Sequence, residues 1–136
     1  MSFRKILLVA PCMIALFGCG DDSKKPYLKI VGGGFNNSVV SQTVTLVIVA
    51  KRMKALPSGS VIEAEFELPD SDQKFIVTHP SESPGDKYMF ESEPLHGVKK
   101  GVPLQVKLHL LTAAGGTEIA QFEKTFVSDA NPDTGQ

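Results

Sequence analysis

Tryptophan is absent from this chain of 136 residues, and aromatic residues make up only 7% of it. A core of this composition must come mainly from valine, leucine, isoleucine and phenylalanine. Cysteine is almost as scarce, because Cys12 and Cys19 are the only two. Both lie near the N-terminus, so no disulfide can crosslink the remaining sequence. Stability must therefore come from packing alone.

Neither sign of charge dominates, with 14 Lys and Arg against 15 Asp and Glu. Without a basic stripe, the chain is not expected to bind nucleic acid. His79, His96 and His109 lack the spacing of a zinc site. The chain also lacks a Gly-x-Ser-x-Gly nucleophile motif and a complete calcium loop. These absences predict a protein that is not an enzyme and that holds no metal or cofactor.

The N-terminus has the layout of a signal peptide. Arg4 and Lys5 precede an apolar stretch from Ile6 to Phe17, which is shorter than the about 20 residues of a spanning helix. Leu16-Phe17-Gly18-Cys19 follows and resembles the lipobox of bacterial lipoproteins. This resemblance implies cleavage after Gly18 and attachment of a diacylglyceryl lipid to Cys19. The alternative is an ordinary secretory signal in which Cys19 stays unmodified.

The resemblance also implies an organisation and a location. We expect a signal peptide at 1–18, a flexible tether at 19–26, a folded domain at 27–127 and a disordered tail at 128–136. The seven residues from Gly20 to Pro26 span at most about 25 Å, so the domain stays close to its membrane. Gly20 follows the cysteine where an aspartate would favour the inner membrane, which implies an outer-membrane anchor facing the periplasm. Lys24 and Lys25 lie beside the lipid and indicate contact with the membrane surface.

Short β-like segments separated by turn residues fill the rest of the chain. Thr43 to Ala50 is β-branched and apolar, which predicts a central strand. The triplet Gly32-Gly33-Gly34 is predicted to stop the first strand with a bend or bulge. No segment has a helical period. The predicted strands are 27–31, 43–50, 61–68, 74–78, 88–91, 103–112 and 117–127, and they predict an all-β, two-sheet antiparallel immunoglobulin-like sandwich.

The C-terminal third of the domain resembles a known kind of domain. From Leu95 to Ala120 a glycine-containing corner leads into an alternating strand and then a Gly115-Gly116 hairpin. This pattern is similar to the last two strands of bacterial immunoglobulin-like or fibronectin-type-III-like domains. A transthyretin-like sandwich remains an alternative topology. True antibody domains are excluded, because the cysteine pair and tryptophan are missing.

One strand face is the candidate site. Glu63, Glu65 and Glu67 alternate along the third predicted strand and share its outer face, and Lys107 and His109 share the outer face of the sixth. If these strands are neighbours, the five side chains form one surface, here called the interaction face. Its simplest interpretation is a solvated surface whose charges balance one another, and the alternatives are a contact for a basic partner or for calcium.

A second charged cluster contains Lys51, Arg52 and Lys54, at the end of the predicted central strand. We interpret it as a solvated strand terminus that discourages aggregation.

The sequence therefore predicts an accessory or assembly subunit of an envelope protein complex, anchored through Cys19. The alternative is a small-ligand or carbohydrate-binding module. That alternative is weakened because only Tyr27 and Tyr88 accompany the phenylalanines as aromatic platforms.

Overall fold

The computed structural model describes residues 24–38 and 40–129. Gly18 and Cys19, and with them the predicted signal peptide, lie outside the described residues. Within these ranges the chain forms seven strands and no α-helix. They are β1 (Leu28–Ser38), β2 (Thr43–Arg52), β3 (Val61–Glu67), β4 (Lys74–Pro80), β5 (Lys87–Glu91), β6 (Pro103–Leu111) and β7 (Glu118–Val127).

The strands form two antiparallel sheets that pack face to face. One sheet has the order β1-β2-β5 and the other has the order β4-β3-β6-β7. The predicted two-sheet sandwich of seven strands is confirmed. β2 lies between two neighbours, as its β-branched sequence predicted.

Alternation along the strands places the core between the sheets. In β2 and β3 every second residue is buried, so each strand turns one apolar face inward. Phe66 on β3 and Phe90 on β5 are among the largest fully buried side chains. The other fully buried side chains of at least valine size are Leu28, Leu46, Ile48, Ile62, Val106, Leu108 and Leu110.

The prediction that β1 ends at Val31 is wrong. The strand passes through the three glycines to Ser38, and its register shifts between Ile30 and Gly32. A bulge is therefore present, but it lies inside the strand instead of at its end. Gly33 has a φ of 141°, and a Cβ there would contact the backbone oxygen of Val47 and lie 3.0 Å from Cζ of Phe126. Glycine is needed here because β7 packs its Phe126 ring directly against the backbone of β1.

The remaining strand boundaries lie close to those predicted from the sequence. The largest of these differences is two residues, by which β2 runs beyond Ala50 to Arg52 and β4 runs beyond Thr78 to Pro80. Proline is compatible with that position because β4 lies at the edge of its sheet.

Pairing of the strands defines the two ends of the sandwich. At one end, called the N-terminal end, β1 begins beside the last residues of β2, and β5 begins beside Lys51. The loops 53–60 and 81–86 close this end. The amide of Ser81 donates to the carbonyl oxygen of Ser60 over 3.0 Å, and the Tyr88 hydroxyl donates to the carbonyl oxygen of Ser81 over 2.6 Å. The two loops are thus fixed to each other and to β5.

Candidate functional site

The interaction face lies on the outer surface of the four-stranded sheet. β3 and β6 are neighbours, with Glu63 opposite His109 and Glu65 opposite Lys107. Glu67 follows on the same face of β3. The structure therefore brings all five predicted residues together, as the sequence-based pairing of the two strands required. All five are half-buried.

His109 is held between two carboxylates from different strands. Its Nε2 lies 3.0 Å from Oε1 of Glu65, and its Nδ1 lies 2.5 Å from Oε1 of Glu118. A neutral imidazole has only one N–H, whereas two ionised carboxylates can only accept. Both contacts are therefore hydrogen bonds only when the ring is an imidazolium. In that state His109 joins β3, β6 and β7 through side chains.

The pKa of His109 is raised above 6.5. Partial burial lowers the pKa, but the hydrogen bonds that His109 donates to Glu118 and Glu65, together with the attraction of their charges, outweigh it. The shift therefore favours the doubly protonated ring that the geometry requires.

The remaining members of the face differ in their contacts. Glu67 accepts a hydrogen bond from the backbone amide of Gln105 over 2.8 Å. Within the described ranges, the side chains of Glu63 and Lys107 form no hydrogen bond or ion pair. The expected balance of charge is thus met for Glu65 by His109, whereas Glu63 and Lys107 keep their charges available to solvent.

Glu118 is a member of this network that the sequence analysis missed. It is the first residue of β7, directly after the glycine hairpin, and the β6–β7 register shifts between Leu110 and Leu111. Simple alternation across a regular hairpin would not place it at His109. The glycine pair was the available signal, since such turns often accompany bulges.

The other histidines do not converge on this face. The His79 ring packs against Phe90, with ring centroids 4.9 Å apart, and His96 is exposed in the connection between β5 and β6. Among the described residues no group of three or more histidine, cysteine or acidic side chains is placed to hold a metal ion.

Shallow clefts open on the surface of the described part of the chain. A cleft of about 230 Å³ lies beside β5 and includes His79, Pro84 and Met89, and one of about 380 Å³ lies between β1 and the end of β7. Tyr88 contacts the first cleft but is only 4% exposed. Tyr27 has the Lys54 ammonium group 4.3 Å from the centre of its ring. Neither tyrosine therefore presents an open ring for stacking on a sugar.

Comparison of this chain with protein-family models, curated proteins and solved structures found no match. No helix in the described part of the chain has the length and apolar character needed to cross a membrane.

Proposed function

We propose that this chain is a non-catalytic, lipid-anchored subunit that helps to assemble a protein complex of the bacterial envelope. Leu16-Phe17-Gly18-Cys19 supports a lipid anchor on Cys19. Gly20, in place of an aspartate, supports anchoring in the outer membrane with the domain facing the periplasm. The folded part would be an immunoglobulin-like domain. The strand order supports this assignment, except that β4 lies beside β3 instead of joining the sheet of β1, β2 and β5 as in constant-type domains.

The interaction face carries the proposal. Its centre is ordered by the His109 hydrogen bonds to Glu65 and Glu118, while Glu63 beside it has no partner among the described residues. An ordered surface with an available charge can bind a partner with little loss of side-chain entropy. Because carboxylates outnumber cations on this face, we propose a protein partner with a basic surface.

Pull-down from membranes tests the proposal. The native protein would be crosslinked in gently solubilised membranes, and captured proteins would be identified by mass spectrometry. A Cys19→Ala chain with a cleavable signal serves as the unanchored comparison. We expect a partner with the native protein and less of it without the anchor. Capture of nothing above background by either chain would contradict the proposal.

Charge reversal then locates the contact. Glu63→Lys places a cation beside the centre of the face, and we expect it to reduce capture about tenfold, because a like charge across an interface costs free energy. Glu93→Lys is the matched control, since Glu93 is exposed in the connection between β5 and β6. Equal loss in both variants would show that only net charge matters. Full capture by both would show that the partner binds elsewhere.

A further inference from the structure

Three lysines occupy one row across the three-stranded sheet. Lys29 on β1 pairs with Lys51 on β2, and Lys51 pairs with Lys87 on β5. All three lie on the outer face, because the core-facing residues of β2 are Val44, Leu46, Ile48 and Ala50. At a strand spacing of about 4.8 Å, the Cα atoms of the three lysines lie within about 10 Å of one another. No side-chain hydrogen bond or ion pair joins these lysines to other described residues.

Such a row is unfavourable for the isolated domain. Like charges directly opposite each other on neighbouring strands are destabilising. Lysine often protects the edge of a sheet from aggregation, and that role suits β1 and β5. It does not explain Lys51, because β2 is the central strand. A surface that brings anions to the row explains all three positions.

The surroundings of the row indicate what that surface is. Two exposed apolar side chains lie beside the lysines. Met89, two residues after Lys87 on the same face of β5, is 64% exposed, and Val31, at the bulge of β1, is 45% exposed. Other cations of this end are already engaged, since Arg52 donates to the Tyr88 hydroxyl and Lys54 lies over the Tyr27 ring. Asp86 and Glu82 lie in the adjoining loop, but among the described residues neither forms an ion pair with a lysine of the row. Cations beside exposed apolar side chains match the charged and apolar layers of a lipid surface.

The position of the row in the fold supports the same partner. It lies at the N-terminal end, where the described chain begins at Lys24. Residues 20–26 can span at most about 25 Å from Cys19. The interaction face lies on the other sheet, so contact through the lysine row leaves that face open.

We propose that Lys29, Lys51 and Lys87 dock the three-stranded sheet on anionic lipid headgroups, and thereby orient the domain on its membrane. This inference rests on the proposed anchor at Cys19, which holds the row within reach. Attraction to an anionic surface falls off within the Debye length of about 8 Å at physiological salt. The tether keeps the three lysines close enough to the bilayer for this short-range attraction to act.

Vesicle co-sedimentation tests this docking without the lipid anchor. The mature chain carrying Cys19→Ser would be mixed with phosphatidylcholine vesicles, with and without phosphatidylglycerol. We expect binding only to the anionic vesicles, lost at about 1 M salt, where the Debye length is about 3 Å. Substituting Lys29, Lys51 and Lys87 by Gln should lower the partition coefficient about a hundredfold.

The matched control changes the same net charge elsewhere. Lys74, Lys99 and Lys124, away from the row, would be substituted by Gln. We expect this control to keep most of the binding, and thermal melting of both variants confirms that each is folded. Equal losses in the two variants, or no binding of the parent chain to anionic vesicles, would overturn the proposal. An amine-reactive reagent applied to the lipidated protein in vesicles should label Lys29, Lys51 and Lys87 less when phosphatidylglycerol is present.

The mass of the native N-terminal peptide separates this inference from the proposed function. If Cys19 carries a diacylglyceryl group but vesicle binding does not depend on the three lysines, the proposed anchor is supported and the proposed docking is rejected. An unmodified Cys19 with row-dependent binding would reject the anchor and support the docking surface.

Discussion

Replacing Gly33 by alanine should destabilise the sandwich far more than the same change at Gly34. The two glycines share a backbone conformation, with φ of 141° and 149°, in a region that residues with a side chain rarely adopt. Each substitution therefore costs about 1–3 kcal/mol of backbone strain. At Gly34 the new methyl group meets nothing within 4 Å. Strain alone is expected there.

Gly33 adds a packing cost to this strain. Its Cβ would press on the Val47 backbone oxygen, lie 3.1 Å from Cα of Ile48, and lie 3.0 Å from Cζ of Phe126. Two of these three atoms belong to the backbone of β2 and cannot move as a side chain would. Overpacking of this kind costs about 1–3 kcal/mol. We expect Gly33→Ala to be less stable than Gly34→Ala by about 2 kcal/mol.

Thermal and urea unfolding of residues 19–136 carrying Cys19→Ser measure the difference. For a domain of this size, about 2 kcal/mol corresponds to a Tm about 10 °C lower. Circular dichroism of both variants against the parent chain gives the comparison directly. If the two variants unfold within about 0.5 kcal/mol of each other, β2 and Phe126 do not approach Gly33 as closely as described, and our reason for a glycine there is wrong.

Three further substitutions test the core, a buried hydrogen bond and the histidine network. Phe66→Ala removes a fully buried ring and should cost about 3–5 kcal/mol in urea unfolding, and a loss below about 1 kcal/mol would contradict its central position. Ser92→Ala leaves the amide of Leu46 without its 2.9 Å acceptor and should cost about 1–3 kcal/mol by the same assay, whereas an unchanged midpoint would argue against that contact. For His109 the raised folded-state pKa lies above the value of about 6.5 in the unfolded chain, so its stabilisation is complete below about pH 6.5 and is lost as pH rises through the folded pKa. His109→Gln should therefore lose up to about 1 kcal/mol in acid and little in base; a difference between parent and variant that does not vary with pH would reject the imidazolium.

Much of the fold was predictable because the period of two is strong in the long strands. Val61–Glu67 alternates without interruption, so its inward and outward faces follow from the sequence alone. The glycines of β1 defeated the same reasoning. Glycine in the interior of a strand weakens it and often marks a bulge or a close approach of another backbone. Pairing with β2 carries β1 through Gly33, where Val47 and Phe126 lie too close for a side chain.

The interaction face was predictable to a similar extent. Pairing of β3 with β6 follows from the sandwich topology, and it placed Glu63 and Glu65 beside Lys107 and His109. Glu118 could not be placed, because its position depends on a one-residue shift in the β6–β7 register. The lysine row was equally hidden from the sequence. Lys29, Lys51 and Lys87 lie far apart in the chain and meet only through the register of three strands.

The pairing of β2 with β5 joins segments that are far apart in the chain, and such long-range pairings slow folding. Val47 lies opposite Glu91, so the strand that completes the first sheet is made only after β3 and β4. Until β5 pairs with β2, one edge of β2 has unpaired backbone groups, and these groups can pair with other chains. Sandwiches with such long-range pairings fold in milliseconds to seconds. We therefore expect partly folded chains to be prone to aggregation before the first sheet closes.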